Sequence, residues 1–186
     1  STLDLGANGV VHRMRGSGGS VIGADPLEFV DGMAQFEVVI KLQSGDESEG
    51  LEVGVTTNEK GSAGNYAATS FYPNWISSDS GSLWKSGGSF YSAGQWKHVR
   101  PNALKAGDVV TVTVHSSGAL EIHCNGVHQV LWDQAEVDTE KALYPLIGLR
   151  APLKAVILRK KVHFTNMCTL SDTLTYPHTY YATNLH

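Results

Sequence analysis

Cysteine, basic charge and long apolar runs are all scarce in this 186-residue chain, and each scarcity closes a class of function. Two cysteines, Cys124 and Cys168, are too few for a disulfide framework, so both are expected as free thiols. The 14 Lys and Arg are outnumbered by 18 Asp and Glu, for a formal net charge of -4. Phosphate binding needs a concentrated basic face, so no nucleic-acid partner is expected. The basic run Arg159-Lys160-Lys161 reads as a solvated strand end. No apolar run approaches the roughly 20 residues of a membrane-spanning helix, and Ser1-Thr2-Leu3-Asp4 lacks the basic and apolar regions of a signal peptide. There is no Asn-x-Ser/Thr sequon. The expectation is an intracellular, cytoplasmic chain without membrane contact, and the missing initial Met reads as a fragment of something longer.

Helical periodicity is equally sparse. What is present is glycine, 20 residues of it, separating short segments rich in Val, Ile, Thr and aromatics, which is the signature of strands. Apolar residues at 41% and charged residues at 17% predict a compact fold, and the length fits one domain. Its core is expected over about 10–162, with 163–186 an extension or one further strand. The clearest strand is Val109 to His115, whose alternation puts Val110, Val112 and Val114 on one face and the threonines on the other. Ser116-Ser117-Gly118 turns the chain into Ala119–Cys124, and Asn125-Gly126 supplies the positive φ angles of a type I′ turn. Ala34–Leu42 alternates likewise, burying Phe36, Val38, Ile40 and Leu42 and leaving Gln35, Glu37 and Lys41 toward water. Leu51–Thr57 is the next strand, where Gly54 lets a bulky neighbour pack close. Ala155–Leu158 reads as a strand buried on both faces. From 58 to 100 the pattern loosens into short strands, long loops and many aromatics. Many short antiparallel strands imply an all-β, two-sheet sandwich.

Three blocks in the first half, Gly23-Ala24-Asp25-Pro26-Leu27, Phe36-Glu37-Val38 and Leu51-Glu52-Val53-Gly54-Val55-Thr56-Thr57, stand in a characteristic order. So do Leu104–Val110, Gly118-Ala119-Leu120 with Asn125-Gly126, and Leu143-Tyr144-Pro145-Leu146-Ile147-Gly148-Leu149. Together, across residues 20–160, they resemble the B30.2/SPRY domains and particularly the neuralized homology repeat. The resemblance implies an antiparallel jelly roll of the concanavalin A-like, SPRY type, with partner recognition by loops at one edge. It implies a non-catalytic protein- or peptide-recognition module within ubiquitin ligases or scaffold proteins, with no cofactor. Carried over by position, its ligand-binding surface is Thr57 or Asn58, Tyr66, and Arg150-Ala151-Pro152. Peptide-binding members carry a Trp where this chain has Ala151, so the resemblance does not extend to their asparagine-rich ligand.

The residues offer rival chemistry. Glu136-Val137-Asp138-Thr139-Glu140 would put three carboxylates on one face of a strand, the arrangement of a retaining glycosidase, but its place between Trp132 and Leu143 predicts an acidic loop. The alternative function is thus a carbohydrate-binding or carbohydrate-cleaving sandwich. His115, His123 and His128 lie near Cys124, yet His123 and Cys124 point to opposite faces of a strand, so no metal is expected. Gly16-Ser17-Gly18-Gly19-Ser20 lacks the Lys-Ser/Thr ending of a phosphate loop, and no Gly-x-Ser-x-Gly nucleophile elbow occurs. Trp84, Trp96 and Trp132 are expected to pack in the sandwich. Trp75, between Pro73-Asn74 and the serine run 77–82, is expected to line a loop pocket as a binding anchor.

Overall fold

A computed structural model describes residues 3–5, 10–13, 18–43, 50–58, 68, 71–86, 89–91, 95–150 and 153–160. The alternating segments form thirteen strands: β1 (Leu3–Leu5), β2 (Val10–Arg13), β3 (Gly18–Ile22), β4 (Met33–Gln43), β5 (Leu51–Thr56), β6 (Asn74–Ser77), β7 (Leu83–Lys85), β8 (Ser89–Tyr91), β9 (Val109–His115), β10 (Leu120–Cys124), β11 (Val127–Trp132), β12 (Tyr144–Arg150) and β13 (Leu153–Lys160). They make two antiparallel sheets, one of seven strands in the order β1-β2-β13-β4-β9-β10-β11 and one of six in the order β3-β12-β5-β6-β7-β8. The fold is the all-β jelly roll expected. Among the described residues no helix is long and apolar enough to cross a membrane.

Strand periodicity decides which side chains meet. Phe36, Val38 and Ile40 of β4, Val110, Val112 and Val114 of β9, and Leu120 and Ile122 of β10 project from one inner face. Leu51, Val53 and Val55 of β5, Leu83, Ile147 and Leu149 project from the other, and the two sets form one core with Trp132 at its largest point. The β9–β10 pairing runs from Leu120↔Val114 to Cys124↔Val110. Asn125 (φ 52°) and Gly126 (φ 77°) then turn the chain into β11, as a two-residue I′ hairpin requires. β13 departs from the expectation of burial on both faces: Ala155 and Val156 are buried, but Ile157 and Leu158 are half-buried. It pairs antiparallel with β2 and β4, and the outer face of an antiparallel sheet can stay wet.

Two irregularities matter later. Gly54 is where β5 lies against β6, and a Cβ there would stand 2.6 Å from Ile76 Cα and collide with the Trp75 carbonyl oxygen. The register of β11 against β10 shifts beside His123, at the point where the β11 side chain Gln129 is fully buried. Gln129 Oε1 accepts the His98 and Val99 amides at 3.0 and 3.1 Å, and its carbonyl accepts the Lys97 amide at 3.2 Å, lacing residues 97–99 onto this edge strand.

Cys124 is a free, buried thiol at the end of β10. Burial, then the Asp108 carboxylate, pushes it up to about 11. Since the thiolate is the reactive species, iodoacetamide at about pH 8 should leave Cys124 unmodified in the folded chain and alkylate it in denaturant, read by peptide mass spectrometry. Equal labelling in both states would contradict this packing.

Candidate functional site

The outer face of the six-stranded sheet is not a solvated surface. Leu51, Val53 and Val55 point into the core, so Glu52, Gly54 and Thr56 point out, yet Glu52 and Thr56 are fully buried. A second apolar cluster covers this face: Ile22, Ala68, Ile76, Tyr144 and Leu146, with Phe71 and Trp84 packed on it. Polar groups lying among these side chains need partners; Glu52, Thr56 and the Asn74 carboxamide nitrogen have them, whereas Asn74 Oδ1 is buried without one among the described residues.

At one end, Thr56 Oγ1 donates to the Pro73 carbonyl at 2.5 Å and accepts the Asn58 amide at 3.1 Å. Asn58 Nδ2 donates to the Tyr72 carbonyl at 2.6 Å. Asn74 Nδ2 donates to the Ala68 carbonyl at 3.0 Å and to that of Phe71, and the Asn74 amide reaches Ser86 Oγ at 2.6 Å. Tyr72 is held by its backbone while the residue is 69% exposed, the most open large hydrophobic residue among those described. Lys141 sits nearby. Its ammonium is held above the ordinary range by its hydrogen bond to Asp138, then by the charges of Asp138, Glu140 and Tyr72. An exposed aromatic ring on a hydrogen-bonded backbone, a carboxamide and a loop of mixed charge therefore lie close together.

At the other end, Glu52 Oε2 accepts the Ala68 amide at 2.6 Å and Oε1 pairs with Arg150 Nε at 3.1 Å. Asp79 stands 3.9 Å from the same Arg150 nitrogen. Burial pushes the Glu52 carboxyl above its ordinary value, and the Ala68 amide and Arg150 pull against that shift. Gly148 makes the room, since a Cβ there would stand 2.9 Å from Glu52 Cβ and collide with Oε2.

The structure separates residues that the sequence reading grouped. Thr57 and Asn58 follow the Thr56↔Tyr144 pair, whereas Arg150 lies beyond Leu149↔Leu51, so the length of the β5–β12 pairing, roughly 20 Å, stands between them. Arg150 connects to the first group through Glu52 and Ala68. Trp75 needs correction: it lies on β6 opposite Val55, 5% exposed, inside the main core. Its position in the strand turns it inward, so it lines no loop pocket. Tyr66, Ala151 and Pro152 lie outside the described residues. Trp96 and Trp132 are buried and Trp84 packs on the outer cluster, as expected. Tyr72 went unselected although Tyr-Pro-Asn in a turn-rich stretch is the signal that marks it.

The acidic segment is a loop, with Glu136 at φ 51°. Hydrogen bonding to Lys85 lowers the Glu136 carboxyl and hydrogen bonding to Lys141 lowers that of Asp138, whereas a glycosidase acid needs a raised one. Among the described residues no group of three or more His, Cys, Asp or Glu is set to hold a metal ion.

Residues 16–159 match the Neuralized family. The chain belongs to the Neuralized family. Among solved structures it is similar to the neuralized NHR1 domain of Drosophila melanogaster, at 14% identity and a TM-score of 0.62, covering 84% of this chain and 90% of that one. The solution structure of the NHR domain of Drosophila melanogaster Neuralized gives 14% identity and 0.61 over 86% of each chain. The SPRY domain of human HERC1 gives 16% identity and 0.58, over 85% of this chain and 92% of that one. At such identities these neighbours establish the fold alone. No curated protein sequence matches the chain.

Proposed function

We propose that this Neuralized-family domain is a protein- or peptide-recognition module that grips its partner at the rim built from Thr57, Asn58 and Tyr72. The observation that carries this reading is Tyr72 itself. A large ring stands in solvent on a backbone pinned through Thr56, Asn58 and Asn74, so it can be buried by a partner at little cost in ordering. Aromatic side chains of this kind dominate interface energetics. Arg150 serves as a positioning residue, since its Glu52 partner holds the Ala68 amide. In this reading the chain supplies target or partner recognition to a larger intracellular assembly, a ubiquitin ligase or a scaffold.

Peptide display against the immobilised domain tests it. Selected peptides should bind the Tyr72→Ala variant about 30-fold more weakly, the loss of a central aromatic anchor, and Asn58→Ala should weaken them less. Undiminished affinity for Tyr72→Ala would overturn the proposed rim. Defined glycan-array binding in the absence of any selected peptide would favour the carbohydrate reading instead.

A further inference from the structure

On the outer face of the seven-stranded sheet, three imidazoles converge on one carboxylate. His115 Nε2 lies 3.1 Å from Glu121 Oε2, while His123 Nε2 and His128 Nε2 each lie 3.6 Å from Oε1. The placement follows from strand register. Val110, Val112 and Val114 point inward, so His115 points outward; Leu120, Ile122 and Cys124 point inward, so Glu121 and His123 point outward. His128 is paired directly with His123 across β10 and β11, their rings edge to face with centroids 5.4 Å apart. Glu121 is thereby flanked on both sides, and all four side chains are partly exposed.

We propose that Glu121 with His115, His123 and His128 forms a proton-responsive patch that reverses the charge of this face on mild acidification. The four side chains are not set to hold a metal ion. Imidazoles as a class change charge between about pH 5 and 8. With the three rings neutral the cluster carries the single negative charge of Glu121. One bound proton cancels it, and each further proton adds a positive charge beside another ring. Other charged groups surround the cluster. On β4, Glu37 lies opposite Thr111, the outward neighbour of His123. The loop that touches Ser116 through Thr139 brings Glu136, Asp138, Glu140 and Lys141 toward the His115 end. Asp108, bonded to Asn125, stands at the other end, and the segment laced to β11 adds Lys97 and His98.

The test is thermal unfolding of the full chain and of Glu121→Gln at about pH 8 and about pH 5.5. The carboxylate and the imidazoliums attract only once the rings are charged. The deficit of Glu121→Gln should therefore be small at the higher pH and grow by about 3 °C or more at the lower one. In a background carrying His115→Gln, His123→Gln and His128→Gln, the same substitution should give one deficit at both pH values. A deficit in the wild-type background that does not change with pH would overturn the proposal. So would histidine ring resonances, followed by NMR, that titrate as three independent groups unaffected by Glu121→Gln.

Discussion

Gly54→Ala is expected to destabilise the domain by at least about 3 kcal/mol, the upper range for forcing an atom into packed structure. For a domain of this size that corresponds to a melting point lower by roughly 6–12 °C. The reason is what the added carbon meets. Backbone is the obstacle: the Trp75 carbonyl, and Ile76 Cα at 2.6 Å, with Ile76 Cγ2 at 2.9 Å. These atoms belong to a strand hydrogen-bonded to β5 and β7, so relief requires parting β5 from β6. Gly126→Ala is the control, because nothing lies within 4 Å and only the left-handed φ of 77° opposes it, at about 1–2 kcal/mol. Thermal or urea denaturation of the two variants compares them directly; a Gly54→Ala variant as stable as Gly126→Ala would refute the close approach.

Glu52→Ala should cost about 3 kcal/mol, since it strips the Ala68 amide of its buried acceptor and takes from Arg150 its carboxylate partner at 3.1 Å. Glu52→Gln should cost less, because an amide oxygen can still accept from Ala68. The pH dependence has a definite sign. Burial raises the folded-state carboxyl above its ordinary 4.5, so the folded chain holds this proton more tightly than the unfolded chain. Glu52 then favours folding most below about pH 4.5, and that contribution is lost as pH rises through the raised value. Glu52→Gln does not titrate, so wild type should lose stability relative to it as pH climbs through that window, as measured by urea denaturation across pH. A wild type that gains on Glu52→Gln over the same rise would show that Arg150 and the Ala68 amide outweigh burial.

What was legible in the sequence follows from periodicity. The Val109–His115 alternation predicted which valines reach the core, and Asn125-Gly126 predicted the turn after β10, because both are local statements about backbone conformation. The sequence marked Glu52 as a strand residue and nothing more. Its burial depends on Ala68, sixteen residues on, and on Arg150, ninety-eight residues away, and no local pattern encodes either contact. Trp75 failed for a related reason. β6 is only four residues long and all four are buried, so its alternation left nothing to read, and a flanking Pro and serines suggested a loop. The grouping of Asn58 with Arg150 came from family resemblance, which says that both lie beside the β5–β12 pair; only the register places them at its opposite ends.

The lacing of residues 97–99 onto β11 bears on what can join the border of its sheet. β11 closes one side of the seven-stranded sheet and bears Val127 and Leu131, both about half exposed. A bare strand of that kind invites another chain to lie alongside and extend the sheet, the first step of ordered aggregation. Here Gln129 turns inward to take two amides of the neighbouring segment while its carbonyl takes a third, so an incoming strand finds this stretch of backbone already engaged. One glutamine side chain thus closes off growth of the sheet at this point, so that greasy residues can remain on its border without becoming a seed.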